Sequence, residues 1–163
     1  PNFFKGEDQN KKPFKIDAGK SRFNEVFTFR AVNIQLIKIA KSDTTHSLSV
    51  LEYEGRKKVG PPLHIHFEQD EMFYIVQGRY RFVCGDEEYI MTTGDIIFLP
   101  RNIPHTWVHL SDEGKMLYML QPSGSFEDFL RELQAFPHPP SEAELQQIHI
   151  KHRMKVLGPP LKA

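Results

Sequence analysis

A pair of histidines and a nearby glutamate form the strongest candidate for a chemically active site in this sequence. His64 and His66 are separated by one residue, and Glu71 follows after a short polar break. Side chains alternate across a β-strand, so the two imidazoles share a face if the segment is extended, whereas on a helix they would diverge by roughly 200°. Pro61 and Pro62 precede the histidines and favour extension. Two nitrogens and one carboxylate brought together in this way predict a divalent transition-metal site.

A third histidine is needed to complete such a site, and His105 is the best candidate. It follows Pro104 at the start of an extended segment, and Trp107 and His109 share its strand face by alternation. If His105 points inward, Trp107 and His109 line the same cavity, and Phe73 is expected to form part of its wall. Each of these residues alone has an ordinary explanation as a surface charge, a loop histidine or a packing residue, but the combination favours a metal. Three imidazoles and one carboxylate suit Fe(II), Mn(II), Co(II), Ni(II), Cu(II) or Zn(II).

The remaining candidates for chemistry are expected to lie outside this site. Four further histidines fall on predicted loops and helices: His46, His138, His149 and His152. The single cysteine, Cys84, is interpreted as an inert thiol at the end of a hairpin. No arrangement of residues indicates a serine or cysteine hydrolase.

Composition excludes several classes of function. The 163 residues include 21 basic and 21 acidic side chains, and this balance argues against binding of nucleic acid or membrane surfaces. No apolar run approaches the ~20 residues of a membrane span, and no signal peptide is predicted at the start. One cysteine fits a reducing compartment, so a cytoplasmic location is expected.

For most of the chain, apolar and polar residues alternate with a period of two, which predicts that β-strands position the candidate residues. Turn signals recur roughly every 8–12 residues, as in an antiparallel β-sandwich or barrel. The predicted strands lie within 26–32, 34–39, 47–53, 62–67, 71–76, 79–83, 87–92, 96–99, 104–110 and 115–120. The predicted organisation is an N-terminal arm over 1–22, a β-barrel over 23–122 and a helical extension over 123–163.

Two helices are predicted in the C-terminal extension, packed on the outside of the barrel. Ser125 and Asp128 form a Ser-x-x-Asp cap before a run with helical spacing. Ser141 and Glu144 form a second capping box, and the residues from Gly158 to Pro160 are interpreted as the stop of the second helix.

These motifs resemble the two conserved motifs of the cupin superfamily. The first runs from Gly60 through His64, His66 and Glu71 to Gly78, with a shorter first spacing than usual. The second runs from Gly94 to His105; Asn102 stands where glycine is usual, and asparagine tolerates the positive φ that glycine would adopt there. His109 stands where the family often has asparagine. The resemblance implies a jelly-roll β-barrel whose metal is held by His64, His66, Glu71 and His105.

A closer resemblance is to small single-domain cupins grouped with quercetin 2,3-dioxygenases. This resemblance rests on three short sequence segments, at residues 61–64, 70–74 and 157–161. It implies a dioxygenase of a small enolisable or aromatic, flavonol-like substrate, with O2 as co-substrate and Glu71 as both ligand and proton acceptor. Since one fold hosts many activities, two alternatives stay open: a non-catalytic metal-dependent sensor of small ligands, and a metal-dependent isomerase or hydrolase. A homodimer is expected, because the arm and the sheet edges need cover.

Overall fold

The computed structural model describes residues 11–29, 33–56 and 58–163, and it is built mainly of antiparallel strands. The first ten residues of the predicted arm, and residues 30–32 of the first predicted strand, lie outside the described residues. The strands are β1 (Phe27–Phe29), β2 (Asn33–Ile39), β3 (Ser49–Gly55), β4 (Pro62–His66), β5 (Asp70–Gln77), β6 (Arg79–Cys84), β7 (Glu87–Thr92), β8 (Ile96–Leu99), β9 (His105–His109), β10 (Gly114–Gln121) and β11 (Met154–Pro160). The helices are α1 (Phe126–Gln134) and α2 (Glu142–Lys151).

The strands form two sheets that face each other, and all of their pairings are antiparallel. One sheet has the order β1-β2-β3-β10-β5-β8, and the other has the order β11-β4-β9-β6-β7. Sequential strands therefore cross repeatedly between the sheets, as they do in a jelly roll. The predicted jelly-roll fold with two C-terminal helices is confirmed.

An aromatic core holds the two sheets together. Tyr53 and Phe73 of the first sheet contact Trp107 and Phe82 of the second, with ring centroids 5.0 and 5.2 Å apart respectively. Phe73 also stacks on Tyr118 of its own sheet at 5.4 Å. Edge-to-face and offset contacts of this kind add to the free energy gained by burying the rings. The core thus supplies a rigid support for side chains at the ends of the strands.

The part of the N-terminal arm that is described is attached to the first sheet. Residues 11–22 contain no helix or strand. The Arg22 amide donates to the carbonyl of Ile37 at 2.7 Å, and its guanidinium contacts the Asp43 carboxylate at 3.1 Å. These bonds fix the end of the arm against β2.

The C-terminal segment differs from the sequence prediction in two ways. The second helix ends at Lys151 instead of continuing to Gly158, and β11 then pairs with β4, the strand that carries His64 and His66. The predicted Ser141 capping box is confirmed. The predicted Ser125 cap is wrong, because the backbone of Ser125 is not extended (φ −108°, ψ 18°) and its side chain makes no capping bond. Neither helix is long and apolar enough to cross a membrane, among the residues described.

Gly60 is required where the chain enters the histidine strand, and this gives a first prediction. A Cβ atom at Gly60 would overlap the carbonyl oxygen of Trp107, which belongs to the backbone of β9 and has little freedom to move. We expect Gly60→Ala to lower the free energy of unfolding by about 2 kcal/mol or more, measured by urea denaturation. The matched control is Gly158→Ala in β11, where the added Cβ would meet Leu63 at an ordinary 3.4 Å. Equal stabilities of the two variants would contradict the prediction.

Candidate metal centre

Four side chains from three strands and both sheets converge at one end of the sandwich. His64 and His66 lie on β4, and His105 lies on β9, directly opposite His64 in the strand register. Glu71 comes from β5 in the facing sheet. One potential ligand atom from each of the four residues lies within 4.8 Å of the other three. The geometry predicted from the His-x-His spacing is therefore present, with the carboxylate reaching across from the opposite sheet.

The carboxylate of Glu71 lies between two of the imidazoles. Its Oε2 atom is 3.0 Å from Nε2 of His105, and its Oε1 atom is 3.8 Å from Nε2 of His66. The ring of His64 lies 4.6 Å from that of His105 and 5.1 Å from that of His66, between centroids. All four residues are buried. Three nitrogens and one carboxylate therefore face a common point that water reaches poorly.

Each imidazole is oriented by a hydrogen bond from its other nitrogen. Nδ1 of His64 lies 2.8 Å from the carbonyl oxygen of Pro62, and Nδ1 of His105 lies 3.0 Å from that of Ile103. Nδ1 of His66 lies 3.1 Å from Oε1 of Gln69. Since these acceptors are oxygens, Nδ1 of His64 and of His66 carries the proton and Nε2 keeps its lone pair toward the centre. In His105 both nitrogens face an oxygen, so the same tautomer requires a cation in place of the hydrogen bond between its Nε2 and Glu71. This is the outer arrangement that metal-binding histidines commonly have.

The protonation states also suit a metal. Burial, together with repulsion from His105 and His66, holds the pKa of His64 well below its ordinary value, and burial lowers the pKa of His66. Burial alone would raise the pKa of Glu71, but the attraction of the surrounding imidazoles outweighs it and lowers that pKa to about 2. Lowered pKa values of His64, His66 and Glu71 each favour the deprotonated form, which is the form that binds a metal.

One atom of the cluster lacks the partner that its burial demands. Nε2 of His66 is buried, and it has no hydrogen-bond partner among the described residues. A buried polar atom left in this way costs about 1–3 kcal/mol. A divalent cation at the common point would accept the lone pairs of the imidazoles and separate them from the negative charge of Glu71. The residues present therefore fit a transition metal, as the sequence predicts.

An ion pair that the sequence analysis missed fixes the segments on either side of the site. The Arg101 side chain binds both oxygens of Asp70, at 3.0 and 2.8 Å, and the Arg101 amide donates to the same carboxylate at 2.9 Å. The Asn102 amide donates to the carbonyl of His66 at 2.8 Å. Asn102 has a φ of +64°, so the positive φ expected at this position is confirmed. The strand of Glu71 and the loop before His105 are held together by these bonds.

Comparison with known proteins places this arrangement in a family. Residues 50–121, which include all four clustered side chains, match the family described as the cupin domain. This part of the chain is a cupin domain. Over 97 residues this cupin is 31% identical to the quercetin 2,3-dioxygenase of Bacillus subtilis, a match that covers 60% of this chain and 28% of that enzyme. The matched segments span between 28% and 54% of the curated relatives' own length.

Solved structures of other proteins share the fold at low sequence identity. KdgF from Halomonas sp. has a TM-score of 0.57 and 18% identity, and the match covers 68% of this chain and 94% of that one. An RmlC-like cupin from Shewanella frigidimarina has a TM-score of 0.56 and 16% identity, over 68% of this chain and 92% of that one. At such identities the likeness establishes the fold alone.

Of the three residues predicted to line a cavity, two lie in the aromatic core and the third lies farther along β9. Phe73 and Trp107 belong to the aromatic core, with ring centroids 6.4 Å apart. His109 lies four residues beyond His105 on β9, which is about 13 Å along a strand. There its ring stacks on Tyr80 at 4.8 Å and its Nε2 lies 3.1 Å from Oγ of Ser111. That these three residues line a substrate cavity stays a prediction.

The helices of this cupin cover the histidine end of the sandwich, and they bring an unexpected residue to it. Phe126 of α1 packs 5.9 Å from His66, between ring centroids. His149 of α2 lies 6.4 Å from His64, although the sequence analysis placed it outside the site. The sequence carries one signal for it, because His149 follows the apolar residue Leu145 by four and so lies on the same face of a helix.

Gln69 gives a second prediction, because it connects the metal centre to the segment before α1. Its Oε1 accepts from Nδ1 of His66, and its Nε2 donates to the carbonyl of Ser123 at 2.7 Å. We expect Gln69→Met to weaken metal binding about 10- to 100-fold, measured by competition with a chelating dye. Gln77→Met, at an exposed position at the end of β5, is the control and should leave the metal affinity unchanged. An unchanged affinity in Gln69→Met would show that the bond to His66 is dispensable.

Proposed function

We propose that this cupin is a metal-dependent dioxygenase of a small enolisable or aromatic, flavonol-like substrate. The observation that carries the proposal is the buried set of three imidazoles and one ionised carboxylate, with the Nε2 atom of His66 lacking any partner in the described part of the chain. Its likeness to the quercetin 2,3-dioxygenase of Bacillus subtilis supports this choice of reaction.

In this proposal His64, His66, Glu71 and His105 hold the metal. A divalent transition metal bound there would polarise a substrate oxygen and leave positions for substrate and O2. The carboxylate of Glu71, which its lowered pKa keeps deprotonated, would accept the proton of the substrate hydroxyl. Phe73 and Trp107 would form the apolar wall that keeps water from the enolate.

Oxygen uptake tests the proposal. The protein is loaded without air, separately with Fe(II), Mn(II), Co(II), Ni(II), Cu(II) and Zn(II), and is then mixed with a flavonol or a β-diketone. We expect consumption of O2 with at least one metal, and both atoms of ¹⁸O2 in the organic products. Absence of uptake with every metal and both substrate classes would overturn the proposal.

Metal-dependent binding without turnover is the second candidate. It is favoured by the burial of all four metal-binding residues beneath the helices, which restricts access for a substrate. A sensor of this kind would gain thermal stability when a small anionic or sugar-like ligand binds, and the ligand would remain chemically unchanged. Turnover that persists without oxygen would instead select an isomerase or a hydrolase.

The homodimer and the cytoplasmic location stay predictions. Support for a dimer comes from β8, the edge strand of its sheet, where the side chains of Ile96 and Phe98 are 64% and 57% exposed. Light scattering is expected to give twice the mass of the chain, and a clean monomer mass would contradict the dimer. The location rests on cysteine content alone.

A further inference from the structure

The ring of Phe126, the first residue of α1, lies between the two sheets at the end that carries the candidate metal centre. Its centroid is 5.9 Å from that of His66 on β4 and 6.1 Å from that of Tyr118 on β10. Strand β4 belongs to one sheet and β10 belongs to the other. Since the ring is buried, it fills the space between these two contacts with hydrocarbon and excludes water from it.

The same two contacts place Phe126 beside His66 and beside the sheet face that carries Glu71. Tyr118 lies two residues before Leu120, which is the register partner of Glu71. Opposite residues of an antiparallel pair share a face, as do residues two apart on one strand, so Tyr118 and Glu71 point to the same side of their sheet. The ring of Phe126 therefore adjoins the pair formed by His66 and Glu71, whose Nε2 and Oε1 atoms lie 3.8 Å apart.

The position of Phe126 is fixed by the residue that follows it. The carboxylate of Glu127 is buried, and it accepts hydrogen bonds from the amide of Lys41 and the hydroxyl of Ser49, both at 2.6 Å. Hydrogen bonds to a buried carboxylate are costly to break, so the first turn of α1 is held against the first sheet. Phe126 is thus a fixed wall of the centre and not a movable lid.

The volume of this ring limits the space available to a ligand. All four clustered residues are buried, and the strands that carry them are held in hydrogen-bonded ladders. A ligand on the metal must therefore find its room among the side chains around the cluster. Among the rings of the described residues, Phe126 is the hydrocarbon one that contacts a clustered imidazole. Because it offers no polar group, it acts on a ligand through its size alone.

We propose that Phe126 is a specificity-determining residue that restricts the metal centre to compact ligands. This inference rests on the proposed metal-binding function. A ligand whose metal-bound oxygen carries a short alkyl group fits beside the ring, whereas an aryl group in the same place overlaps it. Of the substrate classes proposed above, the centre therefore takes small aliphatic enolisable compounds in preference to flavonols.

The test compares acetate with benzoate, which carries a phenyl group in place of the methyl group. The whole chain is loaded with Co(II) under argon, and each anion is titrated while the visible d–d bands of the metal are followed. The wild-type protein should bind acetate more tightly than benzoate. We expect Phe126→Ala to raise the affinity for benzoate about tenfold or more, because the phenyl group fills the apolar space left by the ring, and to change that for acetate by less than about twofold.

Phe129→Ala is the matched control, because it removes the same ring from the same helix. Phe129 packs on Phe126 and His152, at 5.7 and 5.9 Å between centroids, and so lies one layer farther from His66. This variant should keep the wild-type preference for acetate. Phe126→Leu retains an apolar side chain in the core, and it should shift the preference toward benzoate by a smaller factor, even if Phe126→Ala does not fold.

Three results would overturn the inference and leave the metal centre intact. They are wild-type protein that binds benzoate as tightly as acetate, an unchanged benzoate affinity in the Phe126 variants, and an equal gain in Phe126→Ala and Phe129→Ala. Failure of the wild-type protein to take up cobalt would instead overturn the proposed function itself, and the inference with it.

Discussion

Replacing His66 with alanine (His66→Ala) is expected to remove the bound metal while leaving the β fold in place. His66 is fully buried, its Nε2 lies 3.8 Å from the carboxylate of Glu71, and the cluster found among the described residues has no fifth member. Since loss of an outer partner of a ligand typically costs 10–100-fold in metal affinity, loss of the ligand itself should cost well over about 100-fold. Metal analysis after equilibrium dialysis measures this directly.

Thermal unfolding provides an independent measure of the same loss. A metal that binds only the folded wild-type protein stabilises it by about 2.7 kcal/mol when its free concentration is 100 times the Kd. His66→Ala should show no such stabilisation at that concentration. Its metal-free form should lose at most about 3 kcal/mol, because the cavity left by the ring is offset by removal of an unpartnered polar atom.

The control for His66→Ala is the same change at His138, which is exposed on the loop between the helices. His138→Ala should keep the metal and the thermal shift of the wild type. A His66→Ala protein that retains stoichiometric metal would mean that the metal lies elsewhere. Loss of the β-sheet signal in circular dichroism would mean that His66 is needed for folding.

The core of the candidate metal centre could be predicted from sequence because most of its proposed ligands are specified by local spacing. A His-x-His pair in a strand places both rings on one face whatever surrounds it, and the turn before Glu71 returns the chain beside them. His105 was predicted from its position after Pro104, and the strand register brings it opposite His64. Alternation and turn residues act within a few positions of each other, so a single sequence records them.

The outer contacts could not be predicted because they join segments that are distant in sequence. Gln69 is bound to the carbonyl of Ser123, and Asp70 is bound by Arg101. Nothing near Gln69 or Asp70 in the sequence distinguishes them from ordinary polar residues of a turn. A helical period likewise shows that one face of α2 is buried, but it does not show that this face lies over His64.

The missed strand β11 shows how two local signals can conflict. Met154 is buried and Lys155 is exposed, an alternation typical of a strand, but the run is short and follows a helical pattern. Gly158 and the two prolines after it were interpreted as a helix stop. Prolines are tolerated here because β11 is the edge strand of its sheet and pairs with β4 on one side only.

Replacing Glu71 with glutamine (Glu71→Gln) separates the two roles proposed for this carboxylate. The change keeps the shape of the side chain and one oxygen that can face the metal, but it removes the only negative charge among the four proposed ligands. Metal affinity should fall, so the activity is measured with metal in excess. Under those conditions O2 uptake should still fall by about 100-fold or more, because the amide cannot accept the substrate proton.

The matched control is Glu68→Gln, three residues earlier in the same turn. The Glu68 side chain is 57% exposed and lies 3.6 Å from the guanidinium of Arg153, so solvent screens its charge far more than that of the buried Glu71. Glu68→Gln should retain both metal and O2 uptake. If Glu71→Gln, saturated with metal, kept its activity within about tenfold of the wild type, proton transfer to Glu71 would be wrong even though its role as a ligand stood. If O2 uptake fell equally in Glu71→Gln and Glu68→Gln, the loss would reflect the net charge near the turn. The assignment of Glu71 as the proton acceptor would then lose its support.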